Sequence, residues 1–139
     1  KQSEVFQSGA FVDTMEVVST WDRLAWMHDA VRAAVTPHAL VLAHFSHAYR
    51  EGCSIYFTFV ANRGKDEESL TLYDMIWEAA AKAVHDSGGS LSHHHGIGLS
   101  KMKWMAEEHG DAVALWYALK RTLDPHGVMN PGKLFPEEV

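Results

Sequence analysis

Cysteine is nearly absent from this chain of 139 residues. Cys53 stands alone, so no internal disulfide can form, and a reducing compartment, hence a cytoplasmic location, is the expectation. Runs of Lys or Arg are absent too. Twelve basic residues against 18 acidic ones give a formal net charge of −6. That excludes nucleic acid or an anionic membrane as the main partner, because both require a basic surface. No apolar stretch reaches the length needed to span a bilayer. There is no internal repeat and no low-complexity segment. The start, KQSEVFQSGAF, has neither an initiator Met nor the apolar h-region of a signal peptide. The expectation is a piece of a longer polypeptide, membrane-associated at most through its full-length form. What the chain does have is 47% apolar and 22% charged residues, the balance of one ordered domain with a real core.

The patterning predicts an α+β fold. Gly9 to Val18 is rich in β-branched residues and alternates near its end, which predicts a strand. Ser19-Thr20-Trp21-Asp22 has the form of a helix start, with Ser19 as cap and Asp22 at the positive end of the dipole. Leu24, His28, Val31 and Val35 follow at helical spacing, and Thr36-Pro37 ends the helix. ALVLAHFSHAY and SIYFTFVA are two strands, joined by the short Arg50-Glu51-Gly52 as an antiparallel pair. Asn62-Arg63-Gly64-Lys65-Asp66 is a polar loop. Glu68 to His85 is a helix whose stripe is Leu72, Ile76, Ala79, Ala80, Ala83 and Val84, with Gly88-Gly89 just past its end. A short extended piece, Ser90-Leu91-Ser92, comes next. Two helices follow, Lys101 to His109 and Asp111 to Leu123, the second with Ala112, Leu115, Trp116, Leu119 and Leu123 on one face. Asp124-Pro125-His126-Gly127 and Asn130-Pro131-Gly132-Lys133 are turns. The order β-α-β-β-α-β-α-α matches a ferredoxin-like split βαβ plait with an antiparallel sheet and additional C-terminal helices.

The candidate chemistry centres on SLSHHHGIG. Imidazole exchanges protons near neutral pH, so His93-His94-His95 invites acid–base work. On an extended chain His93 and His95 share a face and His94 points away, which disfavours one metal held by all three. No H-E-x-x-H or C-x-x-C pattern accompanies them. A tag is excluded by the short, internal, well-flanked run. Spacing alone leaves a site and a solvated loop both open. Gly96 and Gly98 allow positive φ or close approach to a ligand, but a tight turn explains them equally well. Alternation in SIYFTF puts Tyr56, Thr58 and Val60 on one face and Ile55, Phe57 and Phe59 on the other. The face with Tyr and Thr suits the wall of a polar site, although a core tyrosine with one hydrogen bond is the simpler reading. Cys53 is best read as a buried inert thiol. His44 and His47 are read as ordinary hydrogen-bonded histidines before a metal pair. Trp21, Trp26, Trp77, Trp104 and Trp116 are read as packing, or as an interface to a missing partner.

Together, SHAYREGCSIYFTF, EAAAKAV, DSGGSLSHHHGIG, the tryptophan of KMKW and LDPHGVMNPGKLF resemble the C-terminal cap region of FAD-linked oxidases of the vanillyl-alcohol-oxidase type. Within that group the resemblance is to the alkyldihydroxyacetonephosphate synthases, and it covers nearly the whole chain from Gly9 onward. It implies FAD as cofactor, used without net redox, in an exchange of acyl for alkyl at dihydroxyacetone phosphate. It implies catalytic roles for Tyr56, His93, His94 and His95, and cofactor contacts at Gly96, Gly98 and Asn130, with no metal. The hydroxy-acid dehydrogenase branch, by contrast, carries a metal-binding H-x-x-x-x-x-x-H element and E-H-G-I-G. Here His94 stands where its Glu would be, and H-x-G-D-G-N-x-H is missing.

The resemblance further implies that residues 1–139 are one cap or substrate domain, whose partner is an FAD-binding domain of the same polypeptide. The substrate would be lipid-like or a small hydroxy or keto compound. The expectation for the isolated chain is no tight FAD, no turnover, and self-association through the exposed flavin-facing surface. Two other readings stand beside this one. One is an FAD-linked oxidoreductase of a hydroxy acid or alcohol. The other is a free-standing module whose histidines bind Zn or Ni, ranked last because carboxylate and thiol ligands are missing near the run.

Overall fold

In the computed structural model, residues 2–62 and 64–134 are described. The chain divides into two compact units, residues 1–95 and 96–139. The first unit contains α1 (Gln2–Gln7), β1 (Ala10–Thr20), α2 (Trp21–Val35), β2 (Leu40–Ala48), β3 (Gly52–Asn62) and α3 (Asp66–Asp86). Its sheet is antiparallel, in the order β1-β3-β2. That is the core of the expected plait. The fourth strand is reduced: Ser90 makes a single antiparallel bridge to Val18, on the free side of β1. Gly88, with φ +71°, and Gly89 turn the chain back toward β1, and Leu91 is fully buried as an anchor. The run then leaves for the histidines before a ladder can form.

Alternation decides the two faces of the sheet. Met15, Val17, Ile55, Phe57 and Phe59 are 0–1% exposed and form the core with Leu24, Met27, Val31 and Val35 of α2 and Ile76, Ala80 and Val84 of α3. Asp13 lies on this face too, accepting hydrogen bonds from Tyr73 Oη at 2.7 Å and Trp77 Nε1 at 3.0 Å, which ties α3 to β1. The other face carries Val12, Thr14 and Glu16 of β1, Tyr56, Thr58 and Val60 of β3, and Leu40, Leu42 and His44 of β2, in register. Gly52 is demanded by the pairing itself: a Cβ there would sit 2.0 Å from the carbonyl oxygen of Ser19.

Several local expectations are corrected. Ser19 does not cap α2. It is the penultimate residue of β1, 6% exposed, and its hydroxyl has no hydrogen-bond partner among the described residues, while Thr20 takes the cap position. Continued pairing of β1 with β3, Ser19 opposite Cys53, outcompetes the capping geometry. Of the tryptophans read as packing or as an interface, Trp21 and Trp26 are 50% and 57% exposed, which leaves the packing reading aside for these two. Trp21 instead donates to the carbonyls of Tyr49 and Arg50 at 3.1 and 3.2 Å, pinning the β2–β3 hairpin. Within the polar loop, Arg63 lies outside the described residues.

The second unit holds a 3-10 turn (Met102–Trp104), α4 (Met105–His109) and α5 (Ala112–Leu123). The expected helix from Lys101 is thus split between the turn and α4. No residue of α5 is fully buried, and Leu115, Leu119 and Leu123 are 60%, 51% and 78% exposed, so the leucines of its expected apolar face are present but exposed, while Trp116 packs on His109. The turn at 124–127 forms as expected, with Gly127 N–H donating to Asp124 O at 3.1 Å. The Asp124 carboxylate accepts from Lys120 and from the backbone of Met129 and Val128, which holds its pKa below the usual range. Among the described residues no helix is long and apolar enough to cross a membrane.

Candidate functional site

The site is assembled around Glu16. Its position on β1 aims it at the second face of the sheet, opposite Tyr56 of β3. The side chain is 5% exposed, and a buried carboxylate requires donors. The fold supplies them through an irregularity. The β2–β3 register shifts between Phe45 and His47. Such a bulge re-aims side chains, and both Ser46 and His47 reach Glu16. Ser46 Oγ donates to Glu16 Oε1 at 2.6 Å and Ser54 Oγ at 3.1 Å, while His47 Nδ1 stands 3.5 Å away.

The histidine run completes the cluster. His93 N–H donates to the carbonyl of Glu16 at 3.3 Å, so the run lies along the free edge of β1 beside that residue. His93 Nδ1 lies 3.3 Å from Oε1 and His95 Nε2 lies 3.4 Å from Oε2. The two imidazoles therefore divide the two carboxylate oxygens. His95 N–H donates to His93 O at 2.7 Å, closing a tight turn in which His94 has φ +59°. This positive φ, uncommon outside glycine, is strain held at the centre of the cluster. It also corrects the picture of an extended run. His94 does not point away: its ring packs 3.9 Å from His93 and 4.7 Å from His47.

Two tyrosines flank the histidines. Tyr56 meets His95 edge-on, with ring centroids 5.1 Å apart. Tyr49, the residue after β2, places its Oη 2.9 Å from His93 Nε2. Of the residues singled out in the sequence, Tyr56, His93, His94 and His95 are thus brought together. Glu16, Ser46, Ser54 and Tyr49 join them and were not singled out. His47 joins as well, whereas His44, level with Tyr56, is exposed. The premise that no carboxylate accompanies the run is overturned by Glu16. Cys53 is 3% exposed, and burial raises its pKa, as befits an inert thiol. Gly96, Gly98 and Asn130 belong to the second unit, all at positive φ (+73°, +57° and +49°). A Cβ at either glycine would meet nothing within 4 Å, so backbone conformation rather than close packing calls for glycine there.

Electrostatics single out Glu16. Burial by itself pushes its pKa up. The hydrogen bonds donated by Ser46, Ser54 and His93, with the charge of His93 added, outweigh burial and lower it from 4.5 to about 2. Near neutral pH the carboxylate is an anion beside a cluster of imidazoles. Glu16, His47, His93 and His94 also offer ligand atoms within 4.8 Å of one another, the one candidate metal set among the described residues.

The first unit is thus an α+β plait that carries a titratable cluster on the face of its sheet opposite α2 and α3. The chain belongs to the family described as FAD linked oxidases, C-terminal domain, which it matches over residues 2–134. It is 32% identical over 145 residues to the FAD-linked oxidoreductase YgcU of Escherichia coli O157:H7, covering 97% of this chain and 30% of that protein. It is 30% identical over 135 residues to the alkyldihydroxyacetonephosphate synthase of Trypanosoma brucei brucei, covering 96% of this chain and 22% of that one. A solved alkyldihydroxyacetonephosphate synthase structure shares the fold, with a TM-score of 0.63 at 23% identity, over 94% of this chain and 22% of the other. The chain therefore spans less than a third of the length of these relatives.

Proposed function

We propose that this chain is the C-terminal substrate cap of an FAD-dependent enzyme of the alkyldihydroxyacetonephosphate synthase type, exchanging an acyl for an alkyl group at dihydroxyacetone phosphate. The observation that carries this reading is the convergence of Tyr56, His93, His94 and His95 on one face of the sheet. The exchange needs a proton taken from the substrate carbon and an acid for the departing carboxylate, and these side chains are of the type that does such work.

The cap's residues fit one end of FAD. Thr14, Tyr56 and Thr58 offer hydroxyls beside Leu40 and Leu42, which are 62% and 54% exposed, a mixed surface suited to a planar ring with apolar and hydrogen-bonding edges. Gly96, Gly98 and Asn130 are the candidates for further contacts. FAD supplies the ring against which the dihydroxyacetone unit is held, without net redox. The diphosphate calls for a phosphate-cradling domain elsewhere in the polypeptide, consistent with the short span of this chain against its relatives. The isolated cap accordingly retains no FAD and turns nothing over. Flavin absorbance at stoichiometric level in the purified 139-residue chain would contradict this.

Hydrogen exchange at C1 of an acyl-dihydroxyacetone phosphate, catalysed by the full-length protein without bleaching of the flavin, is the expected result. Bleaching by a 2-hydroxy acid would instead support the second reading, an FAD-linked oxidoreductase, which the likeness to YgcU favours.

A further inference from the structure

We propose that Tyr49, His93 and Glu16 form a proton relay, in which Tyr49 is a catalytic acid–base and Glu16 the residue that positions its histidine. The assignment of a reaction to this relay rests on the function proposed above. The hydrogen-bond chain itself does not.

The geometry has three links. Tyr49 Oη lies 2.9 Å from His93 Nε2. His93 Nδ1 lies 3.3 Å from Glu16 Oε1. Glu16 in turn is fixed by Ser46 and Ser54, at 2.6 and 3.1 Å. A carboxylate accepts only, so the neutral His93 ring carries its proton on Nδ1, and Nε2 is left to accept from the phenol. This is the logic of a nucleophile–base–orienter triad, with a phenol in the first place.

Exposure runs in the useful direction along the chain. Glu16 is 5% exposed and His93 13% at the side chain, whereas Tyr49 is 43% exposed. The phenol thus faces outward while its support is buried. Exposure here does not mean looseness. Tyr49 N–H donates to Gly52 O at 2.8 Å, and its carbonyl accepts from Trp21 Nε1 at 3.1 Å. A surface aromatic held at both ends of its backbone is prepositioned for a task.

The step balances within the cluster. The Tyr49 O–H bond breaks and the His93 Nε2–H bond forms. The imidazolium keeps its Nδ1–H on the Glu16 carboxylate. The phenolate takes the proton of the entering alcohol as the alcohol oxygen bonds to C1 and the C1–O bond to the acyl group breaks, and His93 Nε2 then gives its proton to the departing carboxylate. One proton enters and one leaves, and no oxidant is required.

A bound cation is the competing use of the same residues. One feature opposes it. Glu16 Oε1 already accepts from both serines.

The test uses the full-length flavoprotein with Tyr49→Phe and Glu16→Gln. Tyr49→Phe keeps the ring and both backbone anchors, so folding is unaffected. With acyl-dihydroxyacetone phosphate and a long-chain alcohol, it is expected to lower kcat about 100-fold with KM little changed, and to alter the pH profile of kcat. A kcat within about threefold of wild type would overturn the proposal. The second readout needs no turnover. Exchange of each imidazole C2 hydrogen, followed by peptide mass spectrometry across a pH series, reads the surroundings of His93, with His126 as reference. The groups facing His93 are Glu16, His47, His94 and Tyr49, and the two variants remove two of them. Both variants are expected to move the His93 profile and leave that of His126 in place. If the wild-type protein turns over neither substrate, a moved profile still supports the relay while the proposed reaction fails. An unmoved profile in both variants overturns the relay. So does stoichiometric zinc in the purified protein that is lost in Glu16→Gln.

Discussion

The two faces of one sheet obey opposite rules. On the face toward α2 and α3, Met15, Ile55 and Phe57 are 0% exposed and the packing is largely apolar, with Asp13 tied to Tyr73 and Trp77 at its margin. One residue further along each strand, Glu16 and Tyr56 lie on the second face, where the buried group is a carboxylate and its surroundings are serines and imidazoles. The difference teaches that stability and chemistry are separated here by strand parity alone. A one-residue slip of register would exchange them.

The largest expected effect comes from the first face. Phe57→Ala removes a fully buried ring between α2 and the sheet and is expected to cost about 4 kcal/mol, read as a fall in the denaturant midpoint with the slope unchanged. A loss below about 1 kcal/mol would mean that this face is not the core. Next comes the pairing that keeps the two faces apart. In Gly52→Ala the new methyl group meets the Ser19 carbonyl at 2.0 Å, and backbone cannot step aside as a side chain can. The expected cost is about 3 kcal/mol, and because β1 and β3 are forced apart beside the cluster, activity falls with stability.

The second face is expected to announce itself through acid. Glu16 has its pKa lowered from 4.5 to about 2, so its contribution is fully present above pH 4.5 and is lost as pH falls toward 2. After allowance for screening this amounts to about 2 kcal/mol. Thermal midpoints measured across that window should fall more steeply for wild type than for Glu16→Gln. Parallel curves would show that the carboxylate is not held as an anion by the cluster.

How much of this was legible in the sequence follows the same division. The period-two pattern of SIYFTF separated Tyr56 from Phe57 because alternation is local. The helix over Asp66–Asp86 was legible from its stripe and its glycines, with the ends shifted by one or two residues. Glu16 was not legible, because it lies 77 residues from His93 in sequence and meets it only through the bridge that brings the histidine run to the free edge of β1. Ser46 and His47 depend on a bulge that no residue type announces. Tyr49, 44 residues from His93, read as the last letter of a strand. The turn at His94 hid as well, since three consecutive histidines imply an extended run until φ is known. The apolar stripe of α5 was legible, but not that its leucines would be left exposed, because periodicity specifies a face and not what covers it.

The smallest effect on stability is the sharpest test of the contrast. Tyr56 is half-buried and meets His95 edge-on at 5.1 Å. Tyr56→Phe keeps the ring and therefore the packing, and is expected to change stability by less than about 0.5 kcal/mol. If the second face exists for chemistry, the same change should lower turnover of the full-length enzyme by about 100-fold, because a hydroxyl that contributes little to folding is then serving proton transfer. Phe57→Tyr, one residue away, reverses the pattern. It buries a hydroxyl in the core and destabilises by about 2 kcal/mol, while the enzyme that remains folded keeps its rate. If the two neighbours gave the same ratio of lost stability to lost rate, the division of labour between the faces would not hold.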